Sequence, residues 1–309
     1  MKNIIQIITS LVLLTVLSIN VYGQDEGEES MEEVAKKLAN PNASIGLLGL
    51  PIDFINYGGD LNGANSQNAF KVSFQPSLPY VVKPGQNIFF RPLIPIIISQ
   101  PTINESGEFE KQGVDLGDIG FDLAYGITWE SKWITLLGIV GSAPTATNKQ
   151  LGTGRWMLGP EMFLGKNTSW GMFGVLLTQS WSLNKNSAAD HDGIQTPEDF
   201  MFLNDIYYPD NETGQDYRLN ITSGQYFYTI NLKKAWQIQA QPTFTINHKA
   251  SKGNKISVPI GTGLSKTIKA GKNPLKFSIQ YWYYAVSPEN FGPQHQIRFQ
   301  IGRIVPLPW

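Results

Sequence analysis

The sequence contains no cysteine. Disulfide staples, thiolate metal sites and cysteine nucleophiles are excluded, and nothing is present to carry a lipoprotein anchor. Charge is scarce: Asp, Glu, Lys and Arg make up 16% of the 309 residues, against roughly 25% in typical soluble domains. The two signs nearly cancel, leaving a formal net charge of −1. With no basic patch, nucleic acid is not an expected partner. Past the N-terminus no apolar run is long enough for a membrane helix, and a mean hydropathy of −0.17 argues against a helical bundle. Aromatics, in contrast, reach 12%. Low charge, many aromatics and no long apolar run are what a membrane-spanning β-barrel needs.

The N-terminus reads as an export signal. Lys2 precedes a mostly apolar run, residues 4–17, and Val21-Tyr22-Gly23 offers a cleavage site before Gln24. A polar, acidic stretch follows. Met31, Val34, Ala35 and Leu38 then recur at helical spacing, which predicts a short amphipathic helix ended by Pro41. The expected division is a signal peptide over residues 1–23, a periplasmic segment with a helix over 24–42, and a barrel over 43–309.

The barrel expectation rests on side-chain alternation. Trp236, Ile238, Ala240, Pro242, Phe244 and Ile246 share one face of a run whose other face is Gln237, Gln239, Gln241, Thr243, Thr245 and Asn247. Ile119, Phe121, Leu123, Tyr125, Ile127 and Trp129 alternate with small and polar residues in the same way, as do Ile297, Phe299 and Ile301. Leu158, Pro160, Met162 and Leu164 form another apolar face, blurred by Met157 and Phe163. Runs of about ten residues fit tilted membrane strands, which need roughly 9–11. Short links (83–86, 130–132, 166–169, 233–235, 269–274) alternate with long ones (101–114, 142–152, 184–219, 249–254, 287–292). Outer-membrane barrels place short turns in the periplasm and long loops outside. The alternation predicts an all-β, antiparallel up-and-down barrel of about twelve strands, beginning near residue 44. Trp129, Trp133, Trp170 and Trp236 flank short turns, and Trp156, Trp181 and Trp282 lie near long loops. Together they predict two interfacial aromatic belts. Against this stand Pro92, Pro95, Pro160, Pro242 and Pro259, which fall inside expected strands. Proline removes a ladder donor, so bulges have to absorb them.

The block Phe70-Lys71-Val72-Ser73-Phe74-Gln75-Pro76-Ser77-Leu78-Pro79-Tyr80 and the core Arg91-Pro92-Leu93-Ile94-Pro95 resemble a family of bacterial outer-membrane proteins. So do Gly154-Arg155-Trp156-Met157-Leu158-Gly159-Pro160, Val258-Pro259-Ile260-Gly261-Thr262-Gly263 and the closing Arg298-Phe299-Gln300. That family is related to the proteins named as transporters of the meta-pathway of phenol degradation, often mislabelled "neuromedin U". The resemblance spans residues 39–308 and implies an outer-membrane barrel with a transport role. It carries over no catalytic or ligand residues.

If apolar faces meet lipid, Asp118, Asp122, Arg155, Glu161, Lys276 and Arg298 are the candidate lumen-lining residues. A charge facing lipid at midplane costs roughly 2–4 kcal/mol for Arg or Lys. They form either a solute-selecting constriction or, the favoured reading since both signs occur, an ion-pair network filling a narrow barrel. The acidic residues of 184–219 lack the ordered D-x-D-x-D-G spacing of a calcium loop, so no metal and no cofactor is expected. An outer-membrane phospholipase of similar size uses a His with a Ser two residues later. Here His191, His248 and His295 are followed at that spacing by Gly193, Ala250 and Ile297, so no enzyme activity and no catalytic residue is assigned. The expected function is passive, porin-like passage of a small, hydrophobic solute across the outer membrane of a Gram-negative cell. The alternative is a non-conducting structural or adhesive protein displaying loop 184–219, and a soluble periplasmic β-protein is a third. Expected partners are outer-membrane lipid, the barrel-assembly machinery and a solute the sequence does not name.

Overall fold

A computed structural model of the chain describes residues 30–104, 107–183, 219–271 and 273–307. The expected signal peptide and nearly all of loop 184–219 lie outside the described residues. One helix, α1 (Met31–Ala39), precedes the wall strands: β1 (Gly46–Gly58), β2 (Asn68–Ser77), β3 (Gln86–Ile103), β4 (Ile119–Thr128), β5 (Trp133–Ala143), β6 (Met157–Asn167), β7 (Gly171–Ser182), β8 (Asn220–Asn231), β9 in two halves (Trp236–Ala240 and Thr243–Asn247), β10 (Ile256–Ala270), β11 (Asn273–Val286) and β12 (Gly292–Val305). Three short segments, Tyr80–Lys83, Phe109–Gln112 and Asp115–Leu116, pair only with β3 as outgrowths of the wall. Every neighbour in the ring is antiparallel, and β1 pairs with β12 from Gly46↔Val305 to Gly58↔Gly292. This ladder closes a twelve-strand barrel, so no edge is left to recruit another chain.

The prolines sit where a ladder is already interrupted. Between β1 and β2 the pairing passes from Gly49↔Gln75 to Ile52↔Val72, leaving out Leu50 and Pro51. Between β6 and β7 it passes from Leu158↔Trp181 to Glu161↔Thr178, leaving out Gly159 and Pro160. A side chain at position 159 would run into the Gln179 carbonyl, so only glycine fits that close approach. A register shift accompanies Pro259, and Pro242 divides β9. In β3, pairing with β2 stops at Ile94, short of Pro92, and pairing with β4 stops at Leu93, short of Pro95. A missing N–H costs little where no partner carbonyl waits for it.

Alternation sorts the two faces. On β12, Arg298 and Gln300 line an interior chamber while Ile297 and Phe299 are exposed. On β11, Lys276 and Ser278 line it, Gln280 is buried, and Ile279 and Tyr281 are exposed. On β6, Glu161 and Phe163 are buried, and Met162 and Leu164 are exposed. Phe163 therefore corrects the simple picture of a wholly wet interior. It joins Phe89, Ala124, Ile134, Leu136 and Met172 in a buried apolar cluster, with Leu176 and Phe227 packed against it. These side chains occupy inward positions near the short-turn end of β3 to β8, giving the barrel a dry half.

The N-terminal segment crosses the short-turn end. Ser30 caps α1 by accepting from Glu33 N at 3.3 Å, the start expected of an S-x-x-E box. Val34 and Ala35 are buried, and the helix packs against β7, β9, β10 and β11. The inward Gln237 of β9 donates to Ala35 O at 3.0 Å. Glu32 accepts from Lys234 N at 2.6 Å, in the β8–β9 turn where Lys234 and Ala235 hold φ of 58° and 57°. Non-glycine residues there cost roughly 1–2 kcal/mol each, which the Glu32 contact helps offset. On the far side of the barrel, Asn42 donates to Gly85 O at 3.0 Å and Thr128 Oγ1 at 2.7 Å, and Asn87 of β3 donates to Asn42 O at 2.9 Å. A segment held at β9 and β10 by one end and at β3 and β4 by the other spans the opening.

Candidate functional site

Between that segment and the wall lies a chamber of about 400 Å3. Leu38, Ala39, Asn40, Pro41 and Ala43 contribute to its lining from the N-terminal segment. Its wall has two unlike halves. From β1, β2, β9, β11 and β12 come Asp53, Lys71, Gln75, Gln239, Gln241, Lys276, Arg298 and Gln300. From β3, β5, β6, β7 and β8 come Phe89, Leu136, Phe163, Leu176 and Phe227, with Arg91 on β3 and Gln225, Tyr228 and Thr229 on β8. The halves face each other because strands six apart in a twelve-strand ring stand on opposite sides.

Two ion-pair groups brace the wall. Register places Asp53 opposite Arg298 on one side and Lys71 on the other. The Arg298 guanidinium grips the Asp53 carboxylate through two bonds, Nε to Oδ1 at 2.6 Å and Nη2 to Oδ2 at 2.8 Å, and Gln296 donates to Oδ1 at 2.8 Å. Such a two-point contact is the strong form of an ion pair. Arg298 also stands over the Trp282 ring, 4.5 Å from its centroid, a cation–π contact. In the second group Arg91 Nε contacts Asp122 at 2.8 and 3.0 Å, and its Nη2 lies 3.5 Å from Glu161. Gly138 of β5 lies opposite Glu161. A side chain there would strike Ala124 and the Leu123 carbonyl, so glycine lets β4 and β5 approach closely beside this pair.

The six candidate lumen residues thus separate. Asp122, Glu161, Lys276 and Arg298 occupy the inner face, with Lys276 Nζ donating to Gln237 Oε1 at 3.0 Å. Asp118 does not: it knits the long-loop end, accepting from Ala146 N at 3.1 Å and from Thr153 N and Oγ1 at 2.6 and 2.8 Å. It sits in the break between Asp115–Leu116 and β4, both paired with β3, where its carboxylate meets loop N–H groups. Arg155 is buried in the loop ahead of β6 and is not part of the chamber lining. Among the tryptophans, Trp129, Trp133, Trp170 and Trp236 are exposed beside short turns, and Trp156 and Trp181 are exposed near long loops. Trp282 is a correction: it is 2% exposed and donates to Gln280 Oε1 at 3.1 Å. The outward set Ile279, Tyr281 and Tyr283 forces the residue between to point inward.

Asp53 and Lys71 escaped the sequence reading, and the facing of Arg91 stayed open in it. Asp53 follows the Leu50-Pro51 interruption, which destroys simple alternation in β1. Lys71 was legible in principle, since Phe70, Val72 and Phe74 alternate with Lys71, Ser73 and Gln75. Arg91 follows Phe89 and Phe90, an inward and an outward aromatic in succession, which leaves its facing unmarked in the sequence. Of the histidines in described residues, His248 Nε2 lies 2.7 Å from Thr222 Oγ1 and His295 Nδ1 lies 2.7 Å from Tyr281 Oη. Among the described residues no cluster of His, Cys, Asp or Glu is arranged to hold a metal.

No protein-family model matches the chain, and no curated protein matches its sequence. Solved structures do. The COG4313 outer membrane channel from Pseudomonas putida F1 aligns with a TM-score of 0.54 at 11% identity, over 93% of this chain and 100% of that one. The NanC porin aligns at 0.48 with 12% identity, over 84% and 100%. The outer membrane phospholipase A from Escherichia coli aligns at 0.38 with 11% identity, over 85% and 97%. The first of these shows a shared fold, that of an outer-membrane barrel.

Proposed function

We propose that this chain is an outer-membrane barrel giving passive passage to a small solute through the chamber. The short turns and the N-terminal segment then face the periplasm. The observation that carries the reading is a chamber, part charged and part apolar, enclosed by a closed wall whose outward side chains are large and apolar. Leu137, Phe90, Ile260 and Ile279 are each at least half exposed, an arrangement water would disfavour and lipid would not. The exposed tryptophans mark the two interfaces, and Lys166 over Trp133 and Lys266 over Trp236 bring cations to the periplasmic one. The sequence blocks named above support placement in the family related to the phenol-pathway transporters, and the chain is read as non-enzymatic. Reconstitution into planar bilayers tests the function. Stepwise currents, or liposome uptake of small solutes, are expected. Silence toward every solute tried would overturn it and leave a structural or adhesive surface barrel.

The membrane placement has its own test. Leu137 is 65% exposed at the middle of β5, so Leu137→Arg should lower folding stability in bilayers by roughly 2–4 kcal/mol. Equilibrium refolding into vesicles, read by the heat-dependent gel mobility of folded barrels, measures it. A neutral effect would place this face in water.

A further inference from the structure

Among the described residues the chamber lining carries four cations, Lys71, Arg91, Lys276 and Arg298, and one carboxylate, Asp53. Asp53 is committed to Arg298 and Gln296, and Lys71, though level with Asp53, makes no hydrogen bond or ion pair with any described residue. Lys276 meets only the neutral amide of Gln237. Asp122 and Glu161 pair with Arg91 and do not line the chamber. A half-buried ammonium without its own carboxylate is unfavourable, and an anion entering the chamber supplies what the wall lacks. On the opposite half of the wall Phe227 stacks on the buried Phe163, centroids 5.0 Å apart and ring planes 16° apart, giving an apolar shelf backed by the core.

We propose that the chamber binds a small carboxylate bearing a flat apolar body. The head lies toward the Lys71 and Lys276 ammoniums and the body lies on the Phe163–Phe227 shelf. This rests on reading the chamber as the functional site, and it names the chemical class of the solute. A chamber of about 400 Å3 falls at the lower end of ordinary ligand pockets, roughly 300–1,000 Å3, so the occupant is small. Charge and shape discriminate together. A neutral isostere leaves the ammoniums unsatisfied, a cationic isostere meets repulsion, and a short acid without a ring leaves the shelf uncovered.

Four probes separate these contributions: benzoate, benzyl alcohol, benzylamine and acetate. Binding to the purified full-length protein is measured by calorimetry, and flux is measured in proteoliposomes. Benzoate is expected to bind at least about tenfold more tightly than benzyl alcohol or acetate, the scale of one charge-assisted hydrogen bond or one ring contact. Benzylamine should be the weakest ring compound. Lys71→Gln with Lys276→Gln should erase the advantage of benzoate over benzyl alcohol, and Phe227→Ala should bring benzoate down to acetate. Should the double variant fail to fold, Lys276→Gln alone should still lose a large part of the preference. Equal binding of all four probes, or no benzoate binding, overturns the proposal. Indiscriminate flux with no selective binding removes this inference while the channel reading stands. Selective binding without flux keeps the site and removes passage.

Discussion

Deleting residues 30–42 is expected to raise single-channel conductance severalfold while leaving the barrel folded. The segment runs from Gln237 and Lys234 on one side to Gly85, Thr128 and Asn87 on the other. It contributes no strand to the wall ladder, so its loss leaves every wall pairing intact. Its hold is a small number of polar contacts plus the buried Val34 and Ala35. Those contacts can be loosened singly. Glu32→Ala removes a solvent-exposed charge-assisted hydrogen bond to a backbone N–H, a contact worth up to about 1 kcal/mol there. A change of that size shifts a two-state equilibrium by up to about fivefold. Planar-bilayer recordings should show longer or more frequent open events for Glu32→Ala and a steadily open pore for the deletion. Unchanged conductance in both would mean that the segment does not obstruct the path.

Asp53→Asn is expected to be the most damaging single change in the wall. Asp53 is 1% exposed and its carboxylate balances Arg298 directly, with Lys71 on the next strand. The asparagine keeps the shape and removes the charge, leaving two half-buried cations on the strands either side of it. Breaking a buried pair this way costs roughly 3–5 kcal/mol. Adding Arg298→Gln to Asp53→Asn should return a substantial part of that loss, since the partners act as a unit and their effects do not add. Equilibrium unfolding of the four proteins in the cycle gives the coupling directly. Additive losses would show that the pair is not a unit.

How much of this is readable without coordinates varies with the local physics. The strands that alternate cleanly, β4, β11 and β12, declare both their existence and their facing, because one side meets apolar surroundings and the other does not. The strand number follows from the alternation of short and long links, because an outer-membrane barrel gathers short turns on one side and long loops on the other. The helix is announced by its Ser30 to Glu33 box and the spacing of Val34, Ala35 and Leu38. Its place across the opening is not, because helical periodicity says that a face is buried and not against what. The dry half of the interior was missed for a related reason. Phe163, Leu136 and Phe227 break two-residue alternation, and a run apolar on both faces carries no sign of which way it points. The Asp53–Arg298 pair joins positions at opposite ends of the chain, brought together only by closure of β1 on β12. Trp282 shows the converse, since position along a strand suggested an interface while the alternation of its neighbours settles that it lies inside.

The account stands on an outward face toward lipid and an inward face toward a chamber. The absence of cysteine allows this to be measured one position at a time, with single-cysteine spin labels in reconstituted vesicles and collision with oxygen compared against a water-soluble nickel chelate. Labels at Ile260, Ile297 and Phe299 are predicted to collide with oxygen dissolved in the bilayer and to avoid the chelate. Labels at Gln239, Ser278 and Gln300 are predicted to be shielded from bilayer oxygen. The reverse pattern, or equal chelate access on both faces, would contradict the membrane barrel and every functional statement built on it.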